Sequence, residues 1–168
     1  MISMQFQTRI LASLFVICQL GCGGTSSKPD YLSELTKLQG TVTVDGSPAA
    51  GVDVTFTPTE GSTKITRIAM GRTDENGVYT LYSPPGGAGV EMSDYPGVLP
   101  GVYKVTFSRF MLQDGTFWNS RTATEGPMNV GAEETVPAAL VSPMTTPHEA
   151  TVEFDDSQVY DFELTTKK

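Results

Sequence analysis

The chain has 168 residues, room for one domain and little more. It carries 11 basic and 19 acidic residues, a net charge of −8; this argues against nucleic acid as a partner, because binding phosphate needs basic patches. Its two cysteines are Cys18 and Cys22, so the long remainder offers no disulfide and no cysteine metal site, and is expected to be held by its core alone.

The first 21 residues contain one base, Arg9, and no acid. The run Ile10-Leu11-Ala12-Ser13-Leu14-Phe15-Val16-Ile17-Cys18 follows, giving a weakly positive start and a short apolar stretch, the layout of a secretory signal. It falls short of the roughly 20 apolar residues of a transmembrane helix, and Gln19 interrupts it. Leu20-Gly21-Cys22-Gly23-Gly24 then resembles a lipobox, the site at which bacterial lipoproteins are cut and acylated. The resemblance implies a signal peptide over 1–21, cleavage between Gly21 and Cys22, and acyl chains such as palmitate on Cys22. Two or three chains anchor stably, since each buried methylene contributes about 0.8 kcal/mol. Gly23 stands where inner-membrane lipoproteins carry aspartate, which favours the outer membrane in a host that has one. Beyond Gly21, ten bases stand against 19 acids, a net charge of −9. Such a surface keeps a tethered domain soluble and adds no attraction to anionic lipid.

Gly23-Gly24-Thr25-Ser26-Ser27-Lys28-Pro29-Asp30 is small and polar and reads as a flexible tether. The tether is assigned to 22–37, with Tyr31 to Lys37 forming one helical turn or a lead into the first strand. From Leu38 the dominant period is two, the mark of strands. Val42 and Val44 alternate with Thr41 and Thr43, and Asp45-Gly46 supplies a turn. Val52, Val54 and Phe56 follow, ended by Pro58, which cannot donate to a ladder. Ile68 and Met70 mark a third strand within Ile65 to Thr73. Asp74-Glu75-Asn76-Gly77 is a hairpin signal, and Tyr79 and Leu81 share one face of the return strand. A glycine- and proline-rich loop runs from Pro84 to Pro100. Tyr103, Val105 and Phe107 form the clearest strand. Gln113 to Pro147 is long and irregular. Ala150, Val152 and Phe154 make one closing strand and Tyr160, Phe162 and Leu164 the other, with Asp155-Asp156-Ser157-Gln158 as a hairpin between them. Seven strands with one apolar face each predict an all-β, seven-stranded antiparallel β-sandwich over 38–168, Ig-like or transthyretin-like in outline.

Three segments resemble carboxypeptidase regulatory-like domains: Gly40 to Phe56, with its Asp45-Gly46-Ser47-Pro48 turn; Thr73-Asp74-Glu75-Asn76-Gly77-Val78-Tyr79; and Leu99-Pro100-Gly101-Val102-Tyr103-Lys104-Val105. The end of the chain, Val136-Pro137 through Leu164, is similar to small planctomycete-type lipoproteins with this domain. The resemblance spans about Leu38 to Leu164. It implies a transthyretin-like sandwich that accompanies peptidases and transporters or stands alone on a lipid anchor, and it brings no catalytic residues.

Candidate chemistry is sparse. His148 is the sole histidine, without cysteine companions, and is expected to face solvent rather than act on a substrate or hold a metal. No serine lies in a nucleophile elbow. Asp74 to Gly77 lacks EF-hand spacing and reads as a turn rather than a calcium site. Lys37 and Asp161 occupy the first and last strands, as in isopeptide-bonded adhesins, but Asp161 alternates outward. Catalytic residues, metal and cofactor are therefore all assigned as none. Phe110, Phe117 and Trp118, around Asp114-Gly115, and Tyr95 in the preceding loop form a possible binding surface, since loop aromatics mark contacts for sugars or proteins; the alternative is that they cover a sheet edge. The expected function is a lipid-anchored envelope module, not an enzyme, that binds an envelope protein or polysaccharide or serves structurally. The rival is an envelope hydrolase with a concave polar pocket.

Overall fold

The computed structural model describes residues 28–87 and 89–166. The expected signal peptide, with its expected cleavage site at Gly21 and Cys22, lies outside them. Among the described residues the chain forms eleven strands in three sheets, two 3-10 turns and one four-residue helix, an all-β fold. No helix among them is long and apolar enough to cross a membrane.

The first sheet is built around β1 (Lys37–Val44). On one edge lie β2 (Ser47–Pro48) and β5 (Val78–Thr80), both antiparallel to it. The β1–β2 turn places Asp45 and Gly46 at φ 50° and 82°, the left-handed pair that a two-residue hairpin requires. On the other edge lie β10 (Ser157–Val159) and β11 (Phe162–Leu164), both parallel to β1 and in one register, Lys37 opposite Ser157 and Val42 opposite Phe162. The close approach of these strands depends on Gly40. A Cβ there would lie 1.7 Å from the Tyr160 carbonyl oxygen, which also accepts the Tyr79 hydroxyl at 2.7 Å.

The second sheet runs β4 (Ala69–Arg72), β3 (Asp53–Pro58), β6 (Gly101–Ser108), β9 (Glu149–Val152), antiparallel throughout. Period-two patterning sends Val54, Phe56, Tyr103, Val105, Phe107, Ala150 and Val152 inward, where they meet Val42, Tyr79 and Phe162 of the first sheet in one core. Phe162 joins the layers: its ring lies 5.1 Å from Phe107, 6.3 Å from Phe56 and 6.4 Å from Tyr79. Full burial of each such side chain stabilises by roughly 1.5–3 kcal/mol.

Several expectations are corrected. The seven expected segments each contain a strand, but β2, β10 and two further short strands are additional. The pairing is not antiparallel throughout, and Asp155 to Gln158 is not a hairpin. That segment carries the chain from β9 in the second sheet to β10 in the first. Placing the two closing strands in opposite sheets buries both of their apolar faces, and it makes β10 and β11 parallel to β1, a pairing no short turn could join. Phe154, at the start of this crossing, is 71% exposed instead of inward. In β4 the phase is reversed. Ala69 and Gly71 face inward, and Ile68 and Met70 face out. A Cβ at Gly71 would lie 2.3 Å from the Thr80 carbonyl and 3.2 Å from Leu81, so the inward positions take only small residues.

Residues 30–37, assigned by composition to the tether, pack on the domain. Asp30–Glu34 is a 3-10 turn whose Tyr31 is buried and donates its hydroxyl to the Ser83 carbonyl at 2.9 Å. The Pro84 to Pro100 loop is also held down: Val98 is buried and its carbonyl accepts the Thr36 N–H at 2.9 Å. In the Asp74 to Gly77 turn, Asp74 Oδ1 accepts the N–H groups of Asn76 and Val78.

Candidate functional site

The chain leaves β6 at Ser108 and returns to the second sheet only at β9. Between them, β7 (Phe110–Met111) pairs with β8 (Glu133–Glu134) as a separate two-stranded sheet. Phe110 to Trp118 folds as a tight hairpin. The Trp118 N–H donates to the Phe110 carbonyl at 2.9 Å, and Leu112 N–H to the Thr116 carbonyl at 2.8 Å. At its tip, Asp114 Oδ1 accepts both the N–H and the hydroxyl of Thr116. These bonds favour the charged carboxylate and hold Asp114 below its ordinary pKa.

This hairpin brings three of the four expected aromatics together. The Phe110 and Trp118 rings meet edge to face, 6.0 Å apart at 78°, a favourable quadrupole arrangement. Phe117 lies against Gly51, where a Cβ would come within 2.6 Å of its Cγ. The Arg109 guanidinium stands 5.6 Å from the Phe117 ring centre. All three rings are half-buried, so the corner both covers the sheet end and shows aromatic surface. Tyr95 sits elsewhere. Its carbonyl accepts the Ser83 N–H, and its phenol lies within electrostatic reach of Tyr31.

Polar bonds fasten the hairpin to the sheet. Arg72 donates to Asp53 Oδ2 at 2.8 Å and to the Trp118 carbonyl at 2.7 Å. Burial of Asp53 raises its pKa, and the Arg72 charge opposes that rise. Glu134 is the second fastening. Its Oε1 accepts the N–H groups of Arg109 and Val136 at 2.8 and 2.9 Å, and its Oε2 accepts the Ser108 hydroxyl. Arg109 Nε donates to Thr135 Oγ1 at 2.8 Å. Trp118 Nε1 donates to the Glu125 carbonyl at 3.1 Å.

No family model matches the chain, and no curated protein does. Among solved structures, a 9R-lipoxygenase from Cyanothece is similar at a TM-score of 0.34 and 15% identity, over 83% of this chain and 17% of that one. The chain thus spans under a fifth of that neighbour's length.

Beside the corner lies a groove of about 930 Å³. Residues 134–140, including the first three residues of the short helix α1 (Ala138–Val141), form one wall; Glu163 to Thr166 form the other; His148 lies between. His148 is half-buried, not solvent-facing as expected. Its ring stands edge to face on Phe107 and Phe162, 5.4 and 5.6 Å between centres, and burial lowers its pKa. Among the described residues, no three His, Cys, Asp or Glu side chains converge as a metal site. Asp161 Oδ1 is bonded to the N–H and hydroxyl of Thr41, while Lys37 lies four residues along β1, about 13 Å away at strand rise.

Sequence reasoning identified the aromatics but missed Glu134, Arg72 and the groove. Glu134 sits in a stretch with no period, where nothing distinguishes a carboxylate that accepts three bonds from a solvated one. His148 carried a signal as the sole histidine, but its ring environment comes from Phe107 and Phe162, distant in the chain.

Proposed function

We propose that the protein is a lipid-anchored module of the bacterial cell envelope, binding or structural rather than catalytic, with a transthyretin-like sandwich as its core. The observation that carries this reading is Leu20-Gly21-Cys22 behind an apolar run, followed after a short polar stretch by an all-β domain whose first turn begins at Asp30. The three segments resembling carboxypeptidase regulatory-like domains support the finer fold. The use of Ser108, Arg109, Glu134, Arg72 and Asp53 in mutual and backbone bonds supports a structural role for the corner's polar groups. Its half-buried Phe110, Phe117 and Trp118 offer rigid amphipathic surface, the composition that contact sites for proteins or polysaccharides favour.

The decisive experiment expresses the full chain in a bacterium with lipoprotein processing and measures intact mass and palmitate incorporation. The expected product starts at Cys22 with acyl chains attached, fractionates with membranes, and loses both properties in Cys22→Ala. An unmodified, unprocessed chain would end the anchor reading. Cosedimentation with envelope polysaccharide, or cross-linking to an envelope protein in intact cells, is expected to fall in Phe117→Ala/Trp118→Ala; binding that ignores this change moves the contact away from the corner.

A further inference from the structure

The groove beside α1 contains a free strand edge. β11 pairs with β1 alone among the described strands. The Tyr160 N–H donates to the Gln39 carbonyl, and the Leu164 carbonyl accepts the Asp45 N–H, so the even-numbered residues of this segment turn their backbone groups toward β1. Alternation then turns the N–H and C=O groups of Glu163 and Thr165 the other way, into the groove that both residues line. The facing wall is largely apolar, with Val136, Pro137, Ala138 and Leu140. The volume of about 930 Å³ leaves room for a short extended segment.

Charge decides what could fill it. Among the described residues the groove is lined by Glu134 and Glu163 and by no lysine or arginine, on a chain of net charge −8. A second copy of this chain is a poor occupant, because edge-to-edge pairing would bring the exposed acids Asp161 and Glu163 of both copies together, and like charges across a strand pair destabilise. An extended segment with alternate lysine or arginine side chains instead matches the edge with its backbone and the acids with its charges.

We propose that this groove binds a basic, extended peptide segment of a partner protein, which adds as a strand to the free edge of β11. The proposal rests on the reading of the domain as a binding module, but at a surface separate from the aromatic corner and independent of the lipid.

The test titrates the full chain with a blocked heptapeptide alternating lysine and valine, its glutamate–valine counterpart, and a lysine–valine version N-methylated at alternate amides. The lysine peptide is expected to bind, more weakly as salt rises, and the other two to bind roughly tenfold worse or not at all. Glu163→Lys is expected to weaken binding roughly tenfold by placing like charges together. Thr165→Pro removes a groove-facing N–H without touching the β1 ladder and should weaken it similarly. Phe117→Ala/Trp118→Ala should leave it unchanged, so loss of corner binding and loss of groove binding are separable. No binding, equal binding of the acidic peptide, or indifference to N-methylation on the unaltered protein would each overturn the proposal. So would a concentration-dependent dimer abolished by Thr165→Pro, which would give the edge to a second copy.

Discussion

The two-sheet core and the excursion from Arg109 to Pro147 are held together by different physics. In the core, alternate residues of β1, β3, β6, β9 and β11 bury large side chains completely, and Phe162 alone touches three other buried aromatic rings. In the excursion, few side chains are buried, and position is fixed by directed bonds: Glu134 to two N–H groups and a hydroxyl, Arg72 to the Trp118 carbonyl, Thr135 to Arg109. Area burial is spread over many residues and is non-directional. Directed bonds concentrate the fastening in a few atoms, so the excursion is expected to open locally while the core stays folded.

The largest effect should come from the core. Phe56 is fully buried among Tyr103, Tyr160 and Phe162, and Phe56→Ala should cost about 3–5 kcal/mol, read from the urea midpoint. A loss under 1 kcal/mol would mean that the two layers are not packed as described. Glu134→Ala comes next. It strips acceptors from two backbone N–H groups and the Ser108 hydroxyl, at about 1.5–3 kcal/mol for a bond to a charged group. Its signature should be local, with faster amide exchange at Arg109 and Val136 and faster proteolysis between them while β3 and β6 keep their protection. Equal loss of protection across the core would erase the distinction between the two regions.

A smaller effect is expected at their junction, where His148 rests on Phe107 and Phe162. Burial lowers the folded-state pKa from its ordinary 6.5, so the unfolded chain takes up the proton first. Stability from this group is therefore present above about pH 6.5 and declines as pH falls toward the folded value. Comparing urea midpoints of the parent and His148→Gln between pH 7.5 and 5 isolates that slope, which the variant should lack. The smallest effect belongs to Lys64→Ala. Its ion pair with Glu34 spans 3.5 Å with Lys64 79% exposed, and it should change stability by under about 0.5 kcal/mol.

How far the sequence could be read follows the same division. The inward faces of β1, β3 and β6 were legible because a one-residue shift would have exposed Val42, Val54, Phe56, Val105 and Phe107. β4 was misphased because its inward residues, Ala69 and Gly71, are small, and hydrophobicity points to their larger neighbours Ile68 and Met70. The aromatics of the candidate corner were legible as residues, but their arrangement was not. Gly51, which makes room for Phe117, and Arg72, which fastens Trp118, lie far away in sequence.

By itself the sequence determined the lipobox-like start, the absence of any cysteine beyond Cys22, the acidic balance, and the alternation that makes this an all-β chain. Only the tertiary structure decided which strands are neighbours, that β10 and β11 run parallel to β1, that Glu134 fastens the excursion, and that among the described strands β11 pairs along one edge alone, beside a groove lined by Glu134 and Glu163. The reason is range. Side-chain alternation is a property of adjacent residues, whereas strand order and edge exposure depend on pairings across more than a hundred residues that no local pattern encodes.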